Sequence, residues 1–107
     1  MMDSPFSLSS PTISLSVTST ASAAVLIPGT GNTIRLVNTG ANKCFVAVGV
    51  SSIAATTPSG TSSTTSTCIL AGSDVVFSRS PSSETYISAI CESTETATLL
   101  IQSGEGI

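Results

Sequence analysis

Histidine is absent from the chain. With it go the commonest general base and the commonest metal ligand. A Ser–His–Asp triad and a Cys–His pair are both ruled out within one chain. The three cysteines, Cys44, Cys68 and Cys91, stand 24 and 23 residues apart. No zinc motif has that spacing, and no Cys-x-x-Cys occurs. The carboxylates are Asp3, Asp74, Glu84, Glu92, Glu95 and Glu105. A glycosidase needs two across a cleft, one of them with a raised pKa. The nearest pair, Glu92 and Glu95, falls in one short stretch that reads as a solvated hairpin turn. No acidic loop has the ligand spacing of a calcium site, so Asp74 and Glu84 are not expected to hold a cation. Gly29-Thr30-Gly31 resembles a phosphate loop only superficially, lacking the Lys and Ser/Thr that follow and any helix after it. The expectation is a protein that is not an enzyme and has no cofactor and no metal.

Composition sets the partners it excludes. Charged residues are 8% of the 107, against a usual ~25%. Serine (22) and threonine (16) fill the gap. Net charge is −3, and Arg35, Lys43 and Arg79 are the only cations. Phosphate backbones are bound by clustered Lys and Arg, so no nucleic-acid binding is expected. No apolar run approaches the ~20 residues that span a bilayer, so no membrane partner is expected either. The first ten residues lack a positive charge and an apolar segment, which reads as no signal peptide. Synthesis in a reducing cytoplasm follows as an expectation. Each cysteine sits in an apolar run, and all three read as buried free thiols packing as small hydrophobes.

The elements that position these residues are strands. β-Branched residues dominate, and short alternating runs recur between Gly, Pro, Ser and Asn. Strands are expected over 12–19, 22–27, 33–38, 43–50, 67–70, 73–78, 85–91 and 96–102. Ile13, Leu15 and Val17 share one face; Ile34 and Leu36 oppose Arg35; Leu99 and Ile101 oppose Leu100 and Gln102. Over 43–50 both faces are apolar, which implies a strand covered on each side or one at a subunit contact. Pro28-Gly29-Thr30-Gly31-Asn32 reads as a tight reversal and Asn38-Thr39-Gly40-Ala41-Asn42 as a hairpin turn. About eight strands in one small domain imply an all-β, jelly-roll-like antiparallel sandwich. Residues 1–11, with Pro5, Pro11 and an isolated Phe6, read as an extended N-terminal arm. Residues 12–107 read as the sandwich domain, with an exposed Ser/Thr-rich loop at 51–66.

Several phrases in order resemble a known family. They are Ile34-Arg35-Leu36-Val37-Asn38-Thr39-Gly40, Cys44-Phe45-Val46-Ala47-Val48-Gly49, Ile87-Ser88-Ala89-Ile90-Cys91, Ala97-Thr98-Leu99-Leu100-Ile101 and the closing Ser103-Gly104-Glu105-Gly106-Ile107. Together they resemble small capsid decoration (cement) proteins of tailed bacteriophages. The resemblance implies a virion structural protein on the outer capsid surface, at capsomer junctions, made in the host bacterial cytoplasm. It implies the major capsid protein and other copies of the chain, as a dimer or trimer, for partners. The Ser/Thr-rich insertion and the arm depart from the plainest members.

Four residues are candidate interaction sites. Phe6 and Ile107 are apolar residues at the two ends, fit to anchor the chain on a neighbour; Phe6 has intramolecular packing as its equal alternative. Arg35 and Arg79 either meet a carboxylate of a neighbouring subunit or have a solvated or intrachain role. The alternative to a decoration protein is another virion component, such as a head-fibre base, a tail part or a receptor-binding module. A carbohydrate-binding module would need aromatic platforms, and the chain has no Trp and one Tyr.

Overall fold

The computed structural model describes residues 6–8, 11–57 and 66–106, and it is an all-β sandwich. Nine strands follow one another among these residues: β1 (Phe6–Leu8), β2 (Ile13–Val17), β3 (Val25–Leu26), β4 (Thr33–Asn38), β5 (Cys44–Gly49), β6 (Thr67–Ile69), β7 (Asp74–Ser78), β8 (Tyr86–Ile90) and β9 (Ala97–Gly106). The expected strands are all present, most of them trimmed at their ends. The last one runs on to Gly106 because two partners, β1 and β4, accompany it beyond Gln102.

One sheet has β9 between β4 and an edge made of β2 and β1 laid end to end, with β7 beyond β4. The other has the order β3-β8-β5-β6. Every pairing is antiparallel: β2 with β9, β3 with β8, β4 with β7, and β5 with β6. This nested set describes one long antiparallel ribbon, with the β5–β6 connection at its tip. Winding the ribbon on itself adds the pairings of β4 with β9 and of β5 with β8.

That winding corrects two readings of the turns. Residues 38–42 are not a hairpin, because β4 and β5 belong to different sheets. The same holds for 91–96, between β8 and β9. Both are corners where the chain crosses from sheet to sheet. Turn residues encode a reversal, and reversal within a sheet and reversal between sheets use the same Gly, Asn and Ser.

The arm is also corrected in part. Phe6–Leu8 pairs with the end of β9 of its own chain, Phe6 opposite Gly106 and Leu8 opposite Gly104. Between Leu8 and Ile13 the edge takes five steps while β9, from Gly104 to Ile101, takes three. The register along β9 therefore shifts by two between Leu8 and Ile13, and Pro11 stands between the two strands. The remaining arm residues, 1–5, 9 and 10, lie outside the described residues.

The core is the space between the sheets. Ile34, Leu36, Leu99 and Ile101 from one sheet meet Cys44, Val46, Ile69, Ile87 and Ala89 from the other, all buried. Alternation explains why: these are the inward positions of strands with a period of two. Among the buried polar residues, Asn38 is fully enclosed. Its Nδ2 donates to the carbonyls of Asn42 (2.9 Å) and Ile69 (3.2 Å), and its Oδ1 accepts from Gly40 N–H at 2.9 Å. Its backbone N–H and C=O join Ser73 and Gly72. One side chain thus ties the β4–β5 corner to β6 and to the turn before β7.

Asn38→Ala is expected to cost about 2–4 kcal/mol, since it strands several buried polar groups at once. Asn38→Asp should cost more, because an acceptor then faces two carbonyls. Urea unfolding checks this, as a lowered midpoint at unchanged slope.

Candidate interaction surfaces

The charged side chains fall into two kinds. Arg79 is buried, 7% exposed. Its Nε donates to the Gly31 carbonyl (2.8 Å), Nη1 to the Glu84 carbonyl (3.2 Å) and Nη2 to the Gly29 carbonyl (3.2 Å). Burial pushes its pKa down, with Glu84 opposing. Arg79 is therefore a clamp on the 28–32 corner, engaged within its own chain on all three nitrogens. The same corner explains Gly31: a Cβ there would lie 2.0 Å from the Gly104 carbonyl oxygen. Gly29 adopts φ 78°, the left-handed region that favours glycine. The glycines serve a close backbone approach to β9.

Arg35 stands in the middle of β4 on the outer face of its sheet. Its Nε donates to Asp74 Oδ1 at 2.9 Å and its Nη2 to Oδ2 at 2.5 Å. Both groups keep substantial exposure, 40% and 48%. The two-pronged contact raises the Arg35 pKa and holds the Asp74 carboxyl below its ordinary range. Lys43 pairs with Glu92 at 2.8 Å on the other sheet. Phe6 lies in β1, where its backbone opposes Gly106. Ile107 lies outside the described residues.

The cysteines need one correction. Cys44 and Cys91 are buried, but Cys68 is exposed. In β6 the inward residue is Ile69, and Cys68 has the opposite phase. Burial pushes the Cys44 thiol up to about 12 and the Cys91 thiol upward as well.

A cavity of about 290 Å³ opens beside Ile34, Phe77, Val46 and Val48. Its charged neighbours are Arg79, already committed, and Glu84, whose Oε1 accepts the Ser80 N–H at 2.6 Å. The hydroxyl residues Thr67 and Ser78 complete its polar lining among the described residues. Among the described residues no three His, Cys, Asp or Glu side chains are placed to hold a metal ion.

The two outer sheet faces differ. On the β3-β8-β5-β6 sheet, Phe45, Ala47 and Ser88 point outward by register yet are buried. The chain that follows β5 packs down on this face. Ile53 lies against Gly49. Ala55 is 2% exposed, and its N–H reaches Ser88 Oγ at 3.1 Å. Ser88 in turn donates to the Ser22 carbonyl at 2.8 Å. This settles the two-faced apolar run of β5, which is covered by its own chain. It also shows that 51–57, the first part of the expected exposed loop, is partly packed; residues 58–65 lie outside the described residues.

Among the described residues, nothing covers the other sheet's outer face. One row across it reads Ser14, Leu100, Val37, Asp74, and the next Gln102, Arg35, Val76. Val76 is 47% exposed. A shallow depression lined by Thr12, Arg35, Val37, Leu100 and Gln102 lies at its centre. Sequence reasoning singled out Arg35 there and set Leu100 and Gln102 opposite the inward Leu99 and Ile101, but it missed Val37 and Val76. No protein-family model, no curated protein and no solved structure matches the chain.

Two predictions follow from these placements. Arg79→Ala should lower stability by about 2–4 kcal/mol, because three carbonyls lose a charged donor; Arg35→Ala, on the surface, should leave the unfolding midpoint nearly in place. At pH 8 a thiol reagent should label one cysteine of the native chain quickly, Cys68, and three in denaturant. Rapid labelling of Cys44 in the native state would contradict the burial.

Proposed function

We propose that this chain is a decoration protein of a bacteriophage capsid, bound to the outer shell at capsomer junctions and stabilising it. The observation that carries the reading is the open outer face of the β1/β2-β9-β4-β7 sheet. Its side chains are hydroxyls, an amide, three aliphatic residues and one internally neutralised ion pair. Such a face meets a protein surface by shape and hydrogen bonding rather than by charge. The sandwich is read as a jelly roll, because the ribbon of nested pairings winds as that fold does. The phrases shared with decoration proteins run through β4, β5, β8 and β9, the strands on which the winding depends.

The work asked of such a protein needs no catalysis. Many identical copies on a repeating shell gain strength from number, so each contact can stay weak. A face with few charges keeps its affinity as salt rises.

The test is co-sedimentation of the purified protein with undecorated, expanded heads of the phage that encodes it. Saturation at a fixed ratio to the capsid subunit is expected. Leu100→Glu, which places a charge on the open face, should weaken binding at least ~10-fold with the fold intact. Failure of the unaltered protein to bind expanded heads would overturn the proposal and favour a tail or receptor-binding role.

A further inference from the structure

We propose that two copies of the chain join edge to edge through β7, in antiparallel register about a two-fold axis at Val76, so that the two open sheets become one. This deepens the self-association within the decoration reading, yet it is tested in solution with no particle present.

The argument begins with the edges. A sandwich of two open sheets has four, and natural proteins blunt exposed edges by shortness, interruption, proline or lysine. Three of the four are blunted here. β3 has two residues and β6 has three. The β1/β2 edge is split into two short strands whose register on β9 shifts between Leu8 and Ile13, with Pro11 between them. The fourth is different. β7 pairs with β4 without a break from Ser78 opposite Thr33 to Asp74 opposite Val37. It contains no proline, lysine or bulge, and its sequence, Asp-Val-Val-Phe-Ser, is rich in strand formers.

Hydrogen bonding points the same way. Asn38 N–H donates to the Ser73 carbonyl at 2.9 Å, and Arg79 N–H to the Asn32 carbonyl at 2.8 Å. Backbone groups alternate sides along a strand. Residues 73, 75, 77 and 79 therefore turn theirs toward β4, and Asp74, Val76 and Ser78 turn theirs to the open side. These three are spaced symmetrically about Val76.

An antiparallel second copy then fits without conflict. Val76 lies opposite Val76 of the second copy, and Asp74 opposite its Ser78. Val75 lies opposite its Phe77, so the half-buried inner residues extend the core. On the order of six backbone hydrogen bonds form. No like charges face each other: the single charge on β7 is Asp74, which Arg35 already neutralises.

The experiment is sedimentation equilibrium of the full chain over a range of concentration, with amide hydrogen exchange. The unaltered protein should approach twice the chain mass, with the amides of Asp74, Val76 and Ser78 gaining protection as concentration rises. Val76→Pro removes an N–H that β4 does not use, so the sheet should survive and the dimer be lost. Val76→Lys places two cations at the axis and should also give a monomer. It serves as the second variant if the proline form does not fold. A dimer that persists in the folded variants, or an unaltered protein that stays monomeric at millimolar concentration, would overturn the proposal. A monomeric variant that still binds heads would separate this interface from the capsid contact.

Discussion

Everything in this molecule depends on the pairing of β9 on both sides. Leu99 and Ile101 face the core only because Leu36 lies opposite Ile101 on one flank and Leu15 opposite Leu99 on the other. Side chains alternate with a period of two, so a slip of one residue would send both into solvent and bring Leu100 and Gln102 inward. Gly104 fixes the far end of that register. It receives Thr33 Oγ1 at 2.8 Å and lies against Gly31 with no room for a side chain between them. The strand is long because it must hold β4, β2 and β1 together. The partners it joins are far apart in the chain, so the ribbon closes through contacts of high sequence separation, which slow folding relative to local structure.

Winding a ribbon creates a difficulty at each corner. Where the chain leaves one sheet for the other, backbone groups fall out of both ladders. Buried groups of this kind are costly unless partnered. Buried or partly buried polar side chains meet that need here: Asn38 at the β4–β5 corner, Arg79 at the β3–β4 corner and Ser88 beneath the chain after β5. Ser103, whose Oγ donates to the Pro28 carbonyl, does the same beside β9. The hydroxyl-rich composition is therefore structural as well as superficial. A short hydroxyl satisfies a stray carbonyl at small cost in side-chain entropy.

This division marks what was legible in the sequence. Alternation located the strands, and Thr33–Asn38 was found to the residue, because Ile34, Arg35 and Leu36 alternate between turn residues on either side. The inward faces of β2, β4 and β9 were legible for the same reason. Sheet membership was not, since a corner and a hairpin share their turn residues. β1 was missed because three residues are too few to show a period. Cys68 was placed inside because β6 is equally short, and only its pairing with β5 fixes its phase. Arg79 was left open between a neighbour's carboxylate and a solvated or intrachain role, and the structure shows the intrachain one. Its burial follows from three carbonyls contributed by 29, 31 and 84, which no local window brings together. The open face was partly legible: Arg35, Leu100 and Gln102 were set opposite the core residues, but Val37 and Val76 were not, nor was it known which sheet the chain after β5 would cover.

That covering gives the molecule its polarity. One sheet is partly covered by Ile53 and Ala55, over Gly49 and Ser88, while Cys68 stays exposed on it. The opposite sheet keeps its outward side chains, and its β7 edge keeps three sets of backbone donors and acceptors. Protein surfaces usually hold copies apart by charge, and this chain has little to use. Its one ion pair on the open face is neutral in itself, while Glu84, Glu92 and Glu95 lie off that face, toward the corners. Repulsion is thus weakest where the backbone is least satisfied. Face and edge meet along β7, so a neighbour docked on one would be placed against the other.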